Sequence, residues 1–378
     1  MPTTGPRPAR ASVILVAAAI AVAVVAAAPP PRSARPAAGV RAAALAAPAL
    51  RVSGTRIVDG TGAPIRLHGV NRSGTEYACA QGWGIFDGPS DQASISAMAT
   101  WNVDAVRVPL NEDCWLGING VNPSYGGAAY RRAIVRYVRL LETNGMNPIL
   151  DLHWSAPGDQ LALGQQKMPD LDHAPAFWTS MARTFGQDQA VVLDLYNEPH
   201  DVTWACWRDG CTVDGWKAAG MQRLVTTVRA AGATNVLLLG GIGWSGDLTQ
   251  WKAHMPSDPQ AGLAAGWHLY DFGSCTTAAC WASNVAGVGG AAPVVLGEFG
   301  ETDCAHAFVD GLMAWADGQG IGYVAWTWDD WAGCGGPTVI TDYDGTPTAF
   351  GQGVHDHYLT LRPAASACEP PAVFRTTV

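Results

Sequence analysis

The chain has 378 residues, 48% of them hydrophobic, and its 23 Lys and Arg against 32 Asp and Glu leave a net charge of −9. No basic cluster follows the N-terminal segment, which argues against a nucleic-acid partner, because neutralising phosphates takes clustered Lys and Arg. The length suits one large α/β barrel or two smaller domains.

At the N-terminus, Arg7 and Arg10 precede an uncharged Ala/Val/Ile-rich run, Ala11 to Ala28, which meets Pro29, Pro30 and Pro31. A basic flank, an apolar stretch and a small-residue end at Ala26-Ala27-Ala28 form the pattern of a secretory signal peptide over residues 1–28. The alternative is an uncleaved anchor helix, which would keep the chain at the cell envelope. Residues 29–50, rich in Ala, Pro and Arg, read as a flexible leader, residues 51–362 as one domain, and 363–378 as a tail. Secretion is therefore expected, with no stable membrane association after cleavage.

Eight short, mostly apolar runs follow: IRLHGV (65–70), VDAVRV (103–108), NPILDL (147–152), VVLDLY (191–196), NVLLLG (235–240), AGWHLY (265–270), PVVLGE (293–298) and IGYVAW (321–326). Such runs suit strands buried on both faces. Between them, Tyr130, Ile134, Tyr137, Val138 and Leu141 keep helical spacing up to the breaker Asn144-Gly145, and 174–186, 213–231 and 304–319 also read as helices. Eight strands alternating with helical or loop segments predict an α/β fold, a single (β/α)8 barrel. A doubly wound sheet is the alternative, but no G-x-G-x-x-G follows the first strand. The GGIG at 240–243 reads as a tight turn.

The chain contains nine cysteines. In an oxidising compartment their spacing predicts disulfides stapling the strand-to-helix loops: Cys79–Cys114, Cys206–Cys211, Cys275–Cys280 and Cys304–Cys334, with Cys368 left over. A zinc-type site is disfavoured, since no C-x2-C pair occurs and no His spacing completes one.

In a (β/α)8 barrel the reactive residues gather at the C-terminal ends of the strands. Here those ends carry Arg107, His153, Asn197 and Glu198, His268 and Tyr270, Glu298, and Trp326. Glu198 and Glu298 end the predicted fourth and seventh strands, where two carboxyls can face each other across the mouth. A separation of about 5–5.5 Å would suit a nucleophile and an acid/base, and a wider gap an inverting pair. A lone glutamate in such a place would more often cap a helix or pair with an arginine.

HGVN at 68–71, RVP at 107–109, DLH at 151–153, NEP at 197–199, HLY at 268–270, GEFG at 297–300 and Trp326, in that order, resemble glycoside hydrolase family 5, the cellulase family A. The resemblance runs from about residue 50 to 360. It implies a retaining β-glycosidase with Glu198 as acid/base and Glu298 as nucleophile. Asn197 would bind the sugar 2-hydroxyl, Tyr270 would donate a hydrogen bond to the nucleophile, and His268 would lie near the acid/base. Arg107 would hold the nucleophile ionised, since a nearby cation favours a carboxylate. His153 would contact the sugar, and Trp326 would be its platform. The chemistry requires no metal or organic cofactor.

The expected substrate is a β-glucan or related polysaccharide, and the expected activity that of an endo-β-1,4-glucanase. A β-mannanase or an exo-β-glycosidase is the nearest rival, and a non-catalytic carbohydrate-binding barrel the rival from another class. Sixteen tryptophans occur in the chain, and Trp83, Trp115, Trp154, Trp204, Trp207, Trp244, Trp281 and Trp331 fall in or near strand-to-helix loops. They predict either sugar-stacking subsites or loop packing, with only a few indoles expected to touch substrate. The polar segment 74–91 is expected to wall one end of the groove. Glu301, Asp329 and Asp330 lie near the rim, as sugar ligands or as surface charges. Oligomeric state is not readable, with a monomer as the expectation.

Overall fold

The computed structural model describes residues 46–331 and 336–361. The predicted signal peptide, most of the leader, Cys334, Cys368 and the tail lie outside the described residues. Three short strands come first, β1 (Arg51–Ser53), β2 (Arg56–Val58) and β3 (Pro64–Ile65), forming a small antiparallel sheet. The chain continues through β4 (His68–Asn71), α1 (Gln92–Thr100), β5 (Ala105–Asn111), α2 (Glu112–Leu116), α3 (Ala128–Thr143), β6 (Asn147–Trp154), α4 (Ala174–Phe185) and β7 (Val192–Asp194). Then come α5 (Trp204–Asp209), a hairpin of β8 (Thr212–Val213) and β9 (Trp216–Lys217), α6 (Met221–Ala230), β10 (Leu237–Gly240) and α7 (Trp251–His254). The last elements are β11 (Leu263–Tyr270), α8 (Ala278–Val288), β12 (Val294–Gly300), α9 (Ala307–Gln319), β13 (Gly322–Ala325) and α10 (Ala349–Thr360).

Strands β4, β5, β6, β7, β10, β11, β12 and β13 pair in parallel, and β13 closes onto β4 through Tyr323↔His68 and Ala325↔Val70. This is the predicted (β/α)8 barrel, and all eight predicted runs supply its staves. Every residue of β5 is buried, as expected where a strand has barrel interior on one side and helices on the other. The amphipathic α3 turns Tyr130, Ile134, Tyr137, Val138 and Leu141 inward.

A separate apolar cluster marks the N-terminal end of the barrel. Leu50 and Ile57 pack there with Ala105, Ile149, Val192, Leu238, Ala264, Val295 and Val324, which lie at or near the starts of seven staves. The β1–β3 sheet thus packs against the bottom of the barrel, opposite the end that carries the strand-end polar residues. The sequence did not announce this sheet, because strands of two or three residues are too short to show alternation.

The helix predicted over 213–231 needs correction. It begins at Met221, and residues 212–217 form the β8–β9 hairpin, turning at Asp214-Gly215 with φ of 48° and 91°. Positive φ at both central residues is the geometry that Asp-Gly favours in a two-residue hairpin. Among the described residues, disulfides join Cys79 to Cys114, Cys206 to Cys211, and Cys275 to Cys280. Among the described residues, no helix is long and apolar enough to cross a membrane.

Candidate active site

The open end of the barrel brings all eight sequence-named residues together around Arg107. Its guanidinium is fully buried, and it makes four hydrogen bonds and an ion pair with Asp151. Nε donates to Asp194 Oδ2 at 2.9 Å. Nη1 donates to Glu298 Oε1 at 2.7 Å and to Asn71 Oδ1 at 3.0 Å. Nη2 donates to Asn197 Oδ1 at 3.0 Å and lies 3.0 Å from Asp151 Oδ2. Burial works against the charge, but Asp151, Asp194 and Glu298 outweigh it and hold the guanidinium protonated. Burial also raises Asp151 and Asp194 above the usual carboxylate range, with Arg107 pulling the other way.

Glu298 is fixed from both sides, since its second oxygen, Oε2, accepts the Tyr270 hydroxyl at 2.7 Å. The register between β11 and β12 shifts at Trp267/His268, and this sets His268 opposite Glu298. Both glycines of GEFG have a steric reason. A Cβ on Gly297 would stand 3.0 Å from His268 Nε2, and one on Gly300 would stand 2.9 Å from Tyr270 Cε1. Burial, with the neighbouring Glu298 and Glu198 charges, keeps the Tyr270 phenol far above its ordinary range, so it remains a donor.

Glu198 follows β7 with a left-handed backbone, φ 48°. A non-glycine residue there is strained unless its surroundings enforce the conformation. Two side chains do so: Gln165 Nε2 donates to the Glu198 carbonyl at 2.9 Å, and His200 Nδ1 lies 2.9 Å from the same oxygen. Gln165 also accepts from Asn197 Nδ2 at 2.8 Å, so one residue holds both members of the Asn-Glu pair. The Glu198 carboxyl meets His268 Nδ1 at 3.1 Å. Burial raises its pKa to about 7, while His153, Arg107 and His200 pull it down.

Burial lowers His153 to about 4 and His268 to about 3, so both imidazoles are neutral near neutral pH. The contacts fix the His153 tautomer: Nδ1–H donates to Asp151 Oδ2 at 2.6 Å, and Nε2 accepts from Asn197 Nδ2 at 3.3 Å. The Trp326 ring lies parallel to His153 at 5.4 Å.

One oxygen each of Glu198 and Glu298 and a ring nitrogen of His268 all lie within 4.8 Å of one another. This trio has the spacing of a metal-ligand set, but the Arg107 cation 2.7 Å from Glu298 opposes a second cation there. What the pair can do is acid–base and nucleophilic chemistry. One carboxyl holds its proton near neutral pH, and the other is clamped by a cation and a phenol.

A cavity of about 640 Å³ opens above the pair, lined by His153, Glu198, His268, Tyr270, Glu298 and Trp326 and extended by Trp244 and Phe272. Trp244 is 52% exposed and lies flat on His200 at 3.6 Å, while Phe272, 69% exposed, stacks on Tyr270. Among the loop tryptophans, Trp115, Trp204, Trp207 and Trp281 are buried, so for these packing is the role. Segment 74–91 does not line this cavity, and its residues 74–76 and 78–80 are buried beside the Cys79–Cys114 bridge. Glu301 and Asp329 are neither surface charges nor free sugar ligands. Glu301 is buried and accepts the Phe308 and Val309 N–H groups, and buried Asp329 accepts from Ser73 Oγ and the Tyr343 hydroxyl.

Sequence reasoning did not single out Asn71, Asp151, Asp194, Gln165 or His200. Asp151 stands two residues before His153 on β6, and strand alternation puts both on one face. That spacing was a usable signal. Gln165 lies in an irregular loop and had none.

The chain matches the cellulase (glycosyl hydrolase family 5) model over residues 58–331. A mannan endo-1,4-beta-mannosidase of Streptomyces lividans is 29% identical over 319 residues, 82% of this chain and 72% of that protein. The manganese dependent endoglucanase Eg5A of Phanerodontia chrysosporium is 29% identical over 49% of this chain, and the match spans only 45% of that protein. Among solved structures, the beta-glucanase SdGluc5_26A from Saccharophagus degradans superposes with a TM-score of 0.65 at 20% identity, over 83% of this chain and 94% of that one. The catalytic domain of a mannanase from Streptomyces sp. SirexAA-E gives a TM-score of 0.62 at 21% identity, over 88% and 98%. At such identities the likeness is one of fold.

Proposed function

The chain belongs to glycosyl hydrolase family 5, the cellulase family, and from that membership we propose that it is a secreted, retaining endo-β-1,4-glycanase with Glu198 as acid/base and Glu298 as nucleophile. The observation that carries this reading is the approach of the two carboxyls to within 4.8 Å, the spacing of a double displacement rather than of a water-mediated inversion. Glu298 attacks the anomeric carbon while Glu198 passes its proton to the departing glycosidic oxygen. The aglycone leaves as an alcohol, and a glycosyl ester forms on Glu298. Glu198, now ionised, takes a proton from water as that water attacks the same carbon, and Glu298 is released with the starting configuration restored.

The supporting residues have roles that follow from their contacts. Arg107 and Tyr270 disperse charge on the attacking carboxylate, and neutral His268 meets the Glu198 carboxyl through Nδ1. Trp326 and His153 offer a flat surface at the cleavage point, and Trp244 and Phe272 extend the aromatic surface beyond it, which suits a chain bound across several sugars. Disulfides among the barrel loops support export to an oxidising compartment.

A glucan backbone is the first reading, since the family model is that of cellulases and endoglucanases recur among the relatives. A mannan backbone is the second, favoured by the Streptomyces lividans mannosidase aligning with 82% of this chain. The test is a panel of carboxymethylcellulose, mixed-linkage glucan, glucomannan and galactomannan, with product sizes by chromatography and the first-formed anomer by proton NMR. Oligomers released initially as the β-anomer are expected. Initial α-anomer refutes the retaining mechanism, release of monomer alone refutes endo action, and cleavage of galactomannan without cellulose hydrolysis replaces glucan by mannan.

A further inference from the structure

The outer face of α3 carries a line of positive charge that has no part in the cavity. Arg131, Arg132, Arg136 and Arg139 fall within nine residues of a chain whose net charge is −9. Along the sequence they are interspersed with Ala, Ile, Val and Tyr, but Arg132, Arg136 and Arg139 stand four and three apart, so the helix sets them one above another. A basic cluster that was not expected beyond the N-terminal segment is thus assembled by the helix. All three are exposed, and among the described residues their side chains enter no hydrogen bond or ion pair. Arg131, beside the line, shows the contrast: its Nη1 donates to the Trp115 carbonyl at 2.6 Å. Glu142, the one acid of α3, forms an ion pair with none of the three.

A groove of about 490 Å³ runs beside this line. Phe86, Tyr137 and Leu140 give it an apolar lining, and Arg136 and Arg139 also border it. Phe86 meets the Tyr137 ring edge-on at 5.2 Å, which fixes the aromatic part of the wall. The helix runs from the end of the β5–α2 segment to the start of β6, so the line lies on the outer wall of the barrel and leaves the mouth clear.

Guanidinium forks take carboxylates, and an aromatic wall suits the flat face of a sugar ring. An exposed Arg–carboxylate pair is weak alone, so three arginines along about 10 Å of helix hold a polymer that presents carboxylates repeatedly, not a single small anion. None of the exposed large hydrophobic side chains lies on α3, whereas a helix that docks on a membrane inserts such residues. Two turns of one helix are too narrow a basic surface for a nucleic acid. Residues 1–45 and 362–378 hold seven arginines and one acid, Glu369, so the chain's own ends do not complement the line. We propose that the α3 arginines and their groove bind an acidic polysaccharide, one bearing uronic-acid carboxylates, and that this contact holds the protein to its surroundings with the barrel mouth free. Such binding needs nothing from Glu198 or Glu298.

Chromatography of the full chain on immobilised polygalacturonate tests this, with dextran as the uncharged control. The wild type is expected to be retained on polygalacturonate, but not on dextran, at about 0.02 M salt and released by about 0.3 M, as the screening length falls from roughly 20 to roughly 6 Å. Arg132→Gln/Arg136→Gln/Arg139→Gln is expected to weaken the affinity for polygalacturonate, measured by titration calorimetry, about tenfold or more, with the melting temperature and the hydrolysis of neutral mixed-linkage glucan unchanged. Arg56→Gln/Arg183→Gln/Arg223→Gln removes the same charge from exposed positions on β2, α4 and α6, and is expected to keep the affinity within about twofold of wild type. Absence of wild-type retention, or equal loss in the two triple variants, overturns the proposal. Binding to phosphatidylglycerol vesicles that depends on the α3 arginines, without binding to polygalacturonate, overturns it in favour of a membrane surface.

Discussion

Glu198→Gln separates the chemistry proposed for this carboxyl from its cost to the fold. The side chain keeps only 16% exposure, and burial moves its pKa from 4.5 to about 7. Below pH 4.5 the folded and unfolded chains both hold the proton, and the site costs nothing on this account. As pH rises from 4.5 to about 7, the unfolded chain releases its proton while the folded chain retains it, and stability is lost. Above about 7 the loss levels off near 3 kcal/mol, at about 1.4 kcal/mol per pKa unit. Glutamine has nearly the same shape and no charge at any pH, so it escapes the whole term. The variant's melting temperature, relative to wild type, should therefore rise by about 5 °C between pH 4 and pH 8. Calorimetric melts of both proteins at pH 4, 6 and 8 give the difference directly, and a difference that does not change with pH refutes the reasoning. The same variant has no proton to donate, so kcat on polysaccharide should fall about 10²- to 10⁴-fold. An aryl glycoside whose phenolate leaves unaided should give a burst followed by slow turnover, because water activation is lost as well. Polysaccharide hydrolysis within tenfold of wild type would remove Glu198 from the acid role.

Glu298→Gln should abolish turnover while leaving the melting curve and oligosaccharide binding by calorimetry largely intact, and wild-type-like hydrolysis would sink the nucleophile assignment. Arg107→Met leaves Asp151, Asp194 and Glu298 buried without their shared cation, at a cost of about 3–5 kcal/mol. A melting temperature lower by about 5–8 °C at pH 8, with a smaller drop at pH 5 where the acids can protonate, is expected; a drop under 2 °C would show that the hub is dispensable. Trp244→Ala removes the exposed indole stacked on His200 and should raise KM for oligosaccharides about threefold to tenfold with kcat unchanged, while an unaltered KM would show that the ring touches no sugar. Removing the Cys79–Cys114 bridge, which spans 35 residues, should cost about 4 kcal/mol, against about 2 for the five-residue Cys206–Cys211 bridge. Denaturant titration of the two double Cys→Ala variants checks the order, and a reversed order would refute the loop-length argument.

Parts of this molecule were legible in its sequence wherever one physical constraint acted on neighbouring residues. The barrel staves are buried on both faces, so each one appears as a short apolar run. The polar residues that close those runs mark the open end. The β1–β3 plug was illegible because two- and three-residue strands carry no period. The helix predicted from residue 213 ran through a hairpin whose Asp-Gly turn, read for its backbone demand, would have stopped it. The loop tryptophans were ambiguous for another reason: an indole that packs a loop and one that stacks on sugar have the same local sequence, and only burial distinguishes Trp207 from Trp244.

The candidate site divides in the same way. Each glutamate could be found alone, from its place at a strand end. What makes the two unlike is a property of the assembled mouth. Glu298 faces a buried guanidinium and a phenol, while Glu198 sits against neutral His268 on a left-handed turn that Gln165 and His200 hold. Those partners come from two separate strands, β5 and β11, and two loops, and no spacing along the chain relates them. The two carboxyls differ in their partners because Arg107 spends its donors on Glu298 and none on the Glu198 side chain, whose pKa is raised by burial. A family 5 barrel with both glutamates but an apolar residue at position 107 would keep the motif and lose the asymmetry on which a double displacement depends.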